Sequence, residues 1–132
     1  EDTESRLREV TDLIEQVKAQ EITIEVALTR LAMRQFAEKN EALSHEILAE
    51  AHRNPDVGGT ISELCVAYRQ IFRELAFLVN PTLTEPELDG AEELLLACMF
   101  GLGHRNLSLP KLSPEDTARM AACMIMHAFG SS

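Results

Sequence analysis

Between residues 61 and 79, apolar side chains recur every third or fourth position: Ile61, Leu64, Cys65, Tyr68, Ile71, Phe72, Leu75, Leu78 and Val79. That spacing predicts one long amphipathic helix, which must bury a wide stripe against other elements. Similar stripes precede it, and strand signals are almost absent, so the predicted fold is all-α. Leu7, Val10, Ile14 and Val17 give one apolar face to a charged first helix, Thr3 to about Gln20. Ile22, Ile24 and Val26 alternate as in a strand, but the run is short and Ala27, Leu28, Leu31 and Phe36 restore helical spacing. A break near Glu21 and a second helix from Thr23 to Lys39 are therefore expected.

A third helix is expected from an Asn40 N-cap, with Leu43, Ile47, Leu48 and Ala51 on its apolar face, ending before Pro55. The long fourth helix has two candidate starts. Pro55 suits its first position, or Thr60 and Glu63 form a capping box with Gly58 and Gly59 left in a loop. Thr84, Pro86 and Glu87 open a fifth helix reaching Arg105 or beyond, and Asn106 to Leu112 reads as a loop. Ser113, Pro114 and Asp116 start a sixth, which ends near Gly130. No internal repeat is visible, and 132 residues are read as one domain.

The last two predicted helices are apolar around their whole circumference. Leu94 to Leu102 and Ala118 to Phe129 contain few polar residues on any side. Such helices need cover on more than one face. A two-fold homodimer, in which both helices of each protomer join one intermolecular four-helix bundle, supplies it. The expected interface residues are Leu95, Met99, Leu102, Ala121, Ala122, Ile125 and Phe129.

Charge excludes one class of partner. Twelve Lys and Arg against 22 Asp and Glu give a formal net charge of -10, so the chain should not bind duplex DNA by itself. The longest apolar run, Leu94 to Phe100, is too short to span a bilayer, and the charged opening does not read as a signal peptide. Three widely spaced cysteines, Cys65, Cys98 and Cys123, each inside an apolar helical pattern, suit reduced thiols in a cytosolic core better than a disulfide framework.

Catalytic patterns are missing. In His45-Glu46-Ile47-Leu48-Ala49 an alanine stands where a zinc-protease helix has its second histidine, and no nucleophile elbow or phosphate loop occurs. No enzyme activity, metal or cofactor is expected. Phe36, His45, His52, Tyr68 and Phe72 combine aromatic walls with polar tips and are the candidate lining of a small-molecule pocket. Each is also an ordinary core or surface residue by type. A solid core at Tyr68, Phe72 and Phe36 would favour a ligand-free helical dimerisation or adaptor module instead.

The segment Ile47-Leu48-Ala49-Glu50-Ala51-His52-Arg53-Asn54-Pro55-Asp56 resembles the C-terminal regulatory domain of TetR-type transcriptional repressors, where Asn-Pro commonly closes one helix before the long central one. The likeness extends to Ala91-Glu92-Glu93-Leu94-Leu95-Leu96, Gly101-Leu102-Gly103 and the capped helix from Ser113, covering nearly the whole chain with loose motifs. It implies a small-molecule effector among the first helices and a homodimer through the last two. DNA would be bound only by a helix-turn-helix domain that this chain lacks, with the first helix as the lever between the two.

Overall fold

The computed structural model describes residues 3–36 and 45–130, and among these it contains six α-helices and no strand. Helix α1 spans Thr3–Lys18, α2 Ile24–Gln35, α3 His45–Arg53, α4 Pro55–Val79, α5 Glu85–Gly103 and α6 Pro114–Ala128. The all-α expectation therefore holds.

The helix boundaries follow local chemistry. α1 stops two residues before Gln20, which turns into the left-handed region at φ 63°. The strand-like alternation at Ile22 to Val26 becomes a helix start, because the Thr23 hydroxyl accepts the Val26 N–H at 3.1 Å. α2 ends at Gln35, short of the expected Lys39, where the Phe36 N–H bonds back to the Met33 carbonyl at 3.1 Å. The expected Asn40 cap and Leu43 lie outside the described residues.

Of the two starts considered for α4, the structure takes Pro55. The Asn54 Oδ1 accepts the Asp56 N–H at 2.9 Å and the Val57 N–H at 3.4 Å, and Pro55 has no N–H to satisfy. Gly58 and Gly59 are helical, not a loop, and Thr60 donates to the Asp56 carbonyl at 3.1 Å from inside the helix. Two mid-helix glycines cost roughly 1 kcal/mol each. The Asn-Pro start and the stripe downstream outweigh them.

α5 opens with the expected capping box. Thr84 accepts the Glu87 N–H at 3.3 Å, while its own N–H donates to the Glu87 carboxylate at 2.9 Å. α5 ends at Gly103 rather than Arg105, and residues Arg105–Ser108 form a 3-10 turn inside the expected loop. Ser113 caps α6 by accepting the Asp116 N–H at 3.1 Å.

α2 lies at the centre. Its Ala27, Leu28, Leu31 and Ala32 are buried, and it packs against α1, α4, α5 and most extensively α6. Around it gather Val10 and Ile14 of α1, Phe72 and Leu75 of α4, Leu95 and Met99 of α5, and Ile125 of α6 with Phe129 at its C-cap. α3 is different. It has no buried residue among those described, and it rests on the N-terminal part of the chain's longest helix, α4.

That packing corrects the expected interface. α5 buries Leu88, Ala91, Leu95 and Met99, and α6 buries Ala118, Ala122 and Ile125, with Phe129 beyond its end. Five of the seven residues assigned to a dimer contact, Leu95, Met99, Ala122, Ile125 and Phe129, thus belong to the chain's own core. Leu102 and Ala121 are half-buried. The reason is α2, which covers one side of both helices without any partner. What remains outside is the opposite side: Leu94 is 44% exposed, Met120 53% and Met124 64%, with Ala97, Gly101 and Cys123 also exposed.

Ion pairs brace the surface. Arg73 meets Asp89 at 2.8 Å and Glu92 at 2.6 Å and also pairs with Glu85, while Arg69 meets Glu92 at 3.0 Å, tying α4 to α5. Hydrogen bonds to Asp89 and then Glu92 raise the Arg73 guanidinium above its ordinary value. Lys18 pairs with Glu74 across α1 and α4, and Arg34 with Glu9 across α2 and α1.

Candidate functional site

A cleft of about 640 Å³ lies between α3, α1 and the first half of α4. Leu7 of α1 and Ile47 of α3 form two walls, and Asp56, Val57, Thr60, Ile61, Glu63, Leu64 and Ala67 of α4 form the third. The volume falls within the roughly 300–1,000 Å³ of small-molecule sites.

The cleft exists because of side-chain size and helix spacing. Gly58 lets α4 run against α3, since a Cβ there would sit 2.8 Å from the Ala51 carbonyl oxygen. Ile61 and Leu64 belong to the apolar stripe, but α1 does not fill the space in front of them. Leu64 is still 7% exposed and Ile61 more so. Ala67, one turn further on, supplies only a methyl group.

The polar edge is acidic. Asp56, Thr60 and Glu63 follow one another at spacings of four and three, so they stand along one side of α4. Among the described residues lining the cleft none is basic. The backbone donors at the start of α4 are already committed: Asp56 and Val57 donate to the Asn54 side chain, and Gly58 to the Asn54 carbonyl at 2.8 Å.

Of the five residues expected to line a pocket, Phe36, His52, Tyr68 and Phe72 do not lie on this cleft. Phe72 is 2% exposed, and Tyr68 stacks on it with ring centroids 5.9 Å apart and an interplanar angle of 24°. Phe72 is core, and the half-buried Tyr68 packs against it. Phe36 faces the other way, its ring 5.1 Å from the Arg105 guanidinium carbon, a cation–π contact at the end of α2. His52 is exposed on α3, and the His45 side chain lies outside the described residues. The structure therefore joins Tyr68 to Phe72 and separates Phe36 and His52 from the cleft found.

Aromatic type suggests pocket walls, yet Phe72 fills the core and Tyr68 packs against it. The missed residues, Leu7, Val57, Ile61, Leu64 and Ala67, are aliphatic and read as ordinary stripe. One usable signal was the pair Gly58 and Ala67 bracketing the stripe's start, where small side chains leave room.

A second depression of about 300 Å³ lies beside Arg73, Glu74, Phe77 and Leu88, next to the ion-pair cluster. Among the described residues no group of three or more His, Cys, Asp or Glu is placed to hold a metal, and no helix is long and apolar enough to cross a membrane. Burial raises the thiols of Cys65 and Cys98 above the ordinary value, so both favour the protonated, unreactive form. No family model matches the chain, and no curated protein or solved structure is detectably similar to it.

Proposed function

We propose that this chain is the effector-binding and homodimerisation domain of a TetR-type transcriptional regulator of the cytoplasm. In this reading it is not an enzyme, and DNA is bound by a separate helix-turn-helix domain. The observation that carries the reading is the cleft between α1, α3 and α4. It is large enough for a small molecule, mostly apolar, and walled by the first helix, the element that would transmit a signal. A ligand seated there favours whichever position of α1 and α3 it fits best, and so shifts the population of two arrangements. The Asn54-Pro55 start of the long helix and the order of six helices agree with the resemblance.

The homodimer is proposed through the outward sides of α5 and α6, around Leu94, Ala97, Met120, Cys123 and Met124. Three large apolar side chains there are at least 44% exposed: Leu94, Met120 and Met124.

A thermal-shift screen with small apolar and aromatic molecules tests the reading, because a ligand that binds only the folded state raises its melting temperature. Hits should disappear in Ile61→Trp, which fills the cleft, and survive in Tyr68→Phe. A screen without hits transfers the assignment to the adaptor module. One observation favours that rival: Phe72 is buried with Tyr68 stacked on it, and neither lines the cleft.

A further inference from the structure

We infer that the cleft selects an amphipathic cation, an apolar body carrying one positively charged nitrogen or phosphorus head. The inference rests on the effector-binding reading and adds the chemical class of the ligand.

Three observations lead there. First, the carboxylates of Asp56 and Glu63 stand on one edge of α4, seven residues apart, with the Thr60 hydroxyl between them. Among the described residues neither is in an ion pair, whereas the neighbouring Glu50 is paired with Arg53 at 2.8 Å. Second, an anion has no counterpart. A helix start is ordinarily an anion site, because its first N–H groups are free. Here Pro55 has none, and Asp56, Val57 and Gly58 all donate to Asn54. No lining residue among those described is basic. Third, the facing walls, Leu7, Ile47 and Ile61, are aliphatic, so they reward an apolar body and offer a charged group nothing. A cationic head at the acidic edge, with its hydrocarbon against these walls, satisfies every described surface of the cleft.

An isosteric pair of ions separates charge from shape: tetraphenylphosphonium and tetraphenylborate, with neutral Nile red as the third probe. Each is titrated into the full chain by calorimetry or fluorescence near physiological salt. Tetraphenylphosphonium should bind saturably, one per chain, and at least about tenfold more tightly than the borate, as expected for a cation near two exposed carboxylates. The double variant Asp56→Asn with Glu63→Gln should weaken it by about tenfold. Glu93→Gln with Glu115→Gln removes the same charge elsewhere and should change affinity less than about twofold.

Equal binding of both ions, or equal weakening by both double variants, overturns the cation class. Binding of Nile red or borate alone, abolished by Ile61→Trp, also overturns it but keeps the effector site. If none of the three probes binds, both the class and the effector-binding reading fail.

Discussion

The side chain of Asn80 holds the backbone at Phe129: its Nδ2 donates to the Phe129 carbonyl at 2.8 Å, across 49 positions of sequence. The Oδ1 of the same amide accepts from Thr82, at 3.1 Å from the backbone N–H and 2.6 Å from the hydroxyl. One residue thus stops α4, shapes the turn into α5 and fastens the end of α6.

Asn80→Ala removes all three bonds and leaves the Phe129 carbonyl without this donor. Net contributions of about 1 kcal/mol per hydrogen bond suggest a loss of roughly 1–3 kcal/mol. Urea denaturation measures it. Asn106→Ala, at an exposed position in the 3-10 turn, should stay within about 0.5 kcal/mol of the unmodified chain.

Gly58 and Gly59 are neighbours on α4 with opposite expectations. Ala51 lies too close for a Cβ at Gly58, whereas nothing lies within 4 Å of one at Gly59. Gly59→Ala should stabilise the chain by up to about 1 kcal/mol, since alanine is the better helix former. Gly58→Ala gains the same propensity but must push α3 away from α4, and should destabilise by about 1–3 kcal/mol. Chemical denaturation of the two variants decides, and a stabilised Gly58→Ala would refute the close approach.

The proposed dimer predicts a split between two substitutions on α6. Met124→Glu places a charge on a side chain already 64% exposed, so circular dichroism should stay helical while sedimentation shows a monomer. Ala122→Glu forces a carboxylate into the chain's own core, where Ala122 is fully buried, and should unfold the protein. A Met124→Glu variant that sediments like the unmodified chain would remove this face from the dimer.

Thiol chemistry offers a test of the packing itself. At mildly alkaline pH, Cys123 on the exposed side of α6 should react fast with an alkylating reagent. Cys65 and Cys98 are half-buried with raised pKa values, so less of each is thiolate and access is restricted. Mass spectrometry of the native chain should show one rapid modification, and denaturant should release the other two.

Much of the fold was legible because its signals are local. Thr23, Thr84 and Ser113 mark helix starts by a side-chain oxygen within three residues of the N–H it accepts. The start of α4 was ambiguous since two local solutions competed, and the Asn54 side chain decided between them. The destination of a stripe was not legible. Leu95 and Ile125 look equally suited to a partner's helix or to α2, and only the three-dimensional position of α2 settles which. The cleft escaped for the same reason: Ile61 reads as core until α1 is seen to leave space before it.

The central place of α2 also bears on the order in which this chain can become stable as it is synthesised. The face of α2 that carries part of the core is covered by α6, whose residues Pro114–Ala128 emerge some 80 positions after α2 is complete at Gln35. Until then the core around α2 has only part of its cover, although α1, α4 and α5 are already available. A nascent chain carrying the first five helices therefore exposes an apolar groove shaped for a helix. The contact that closes the core thus also removes the apolar surface such an intermediate exposes.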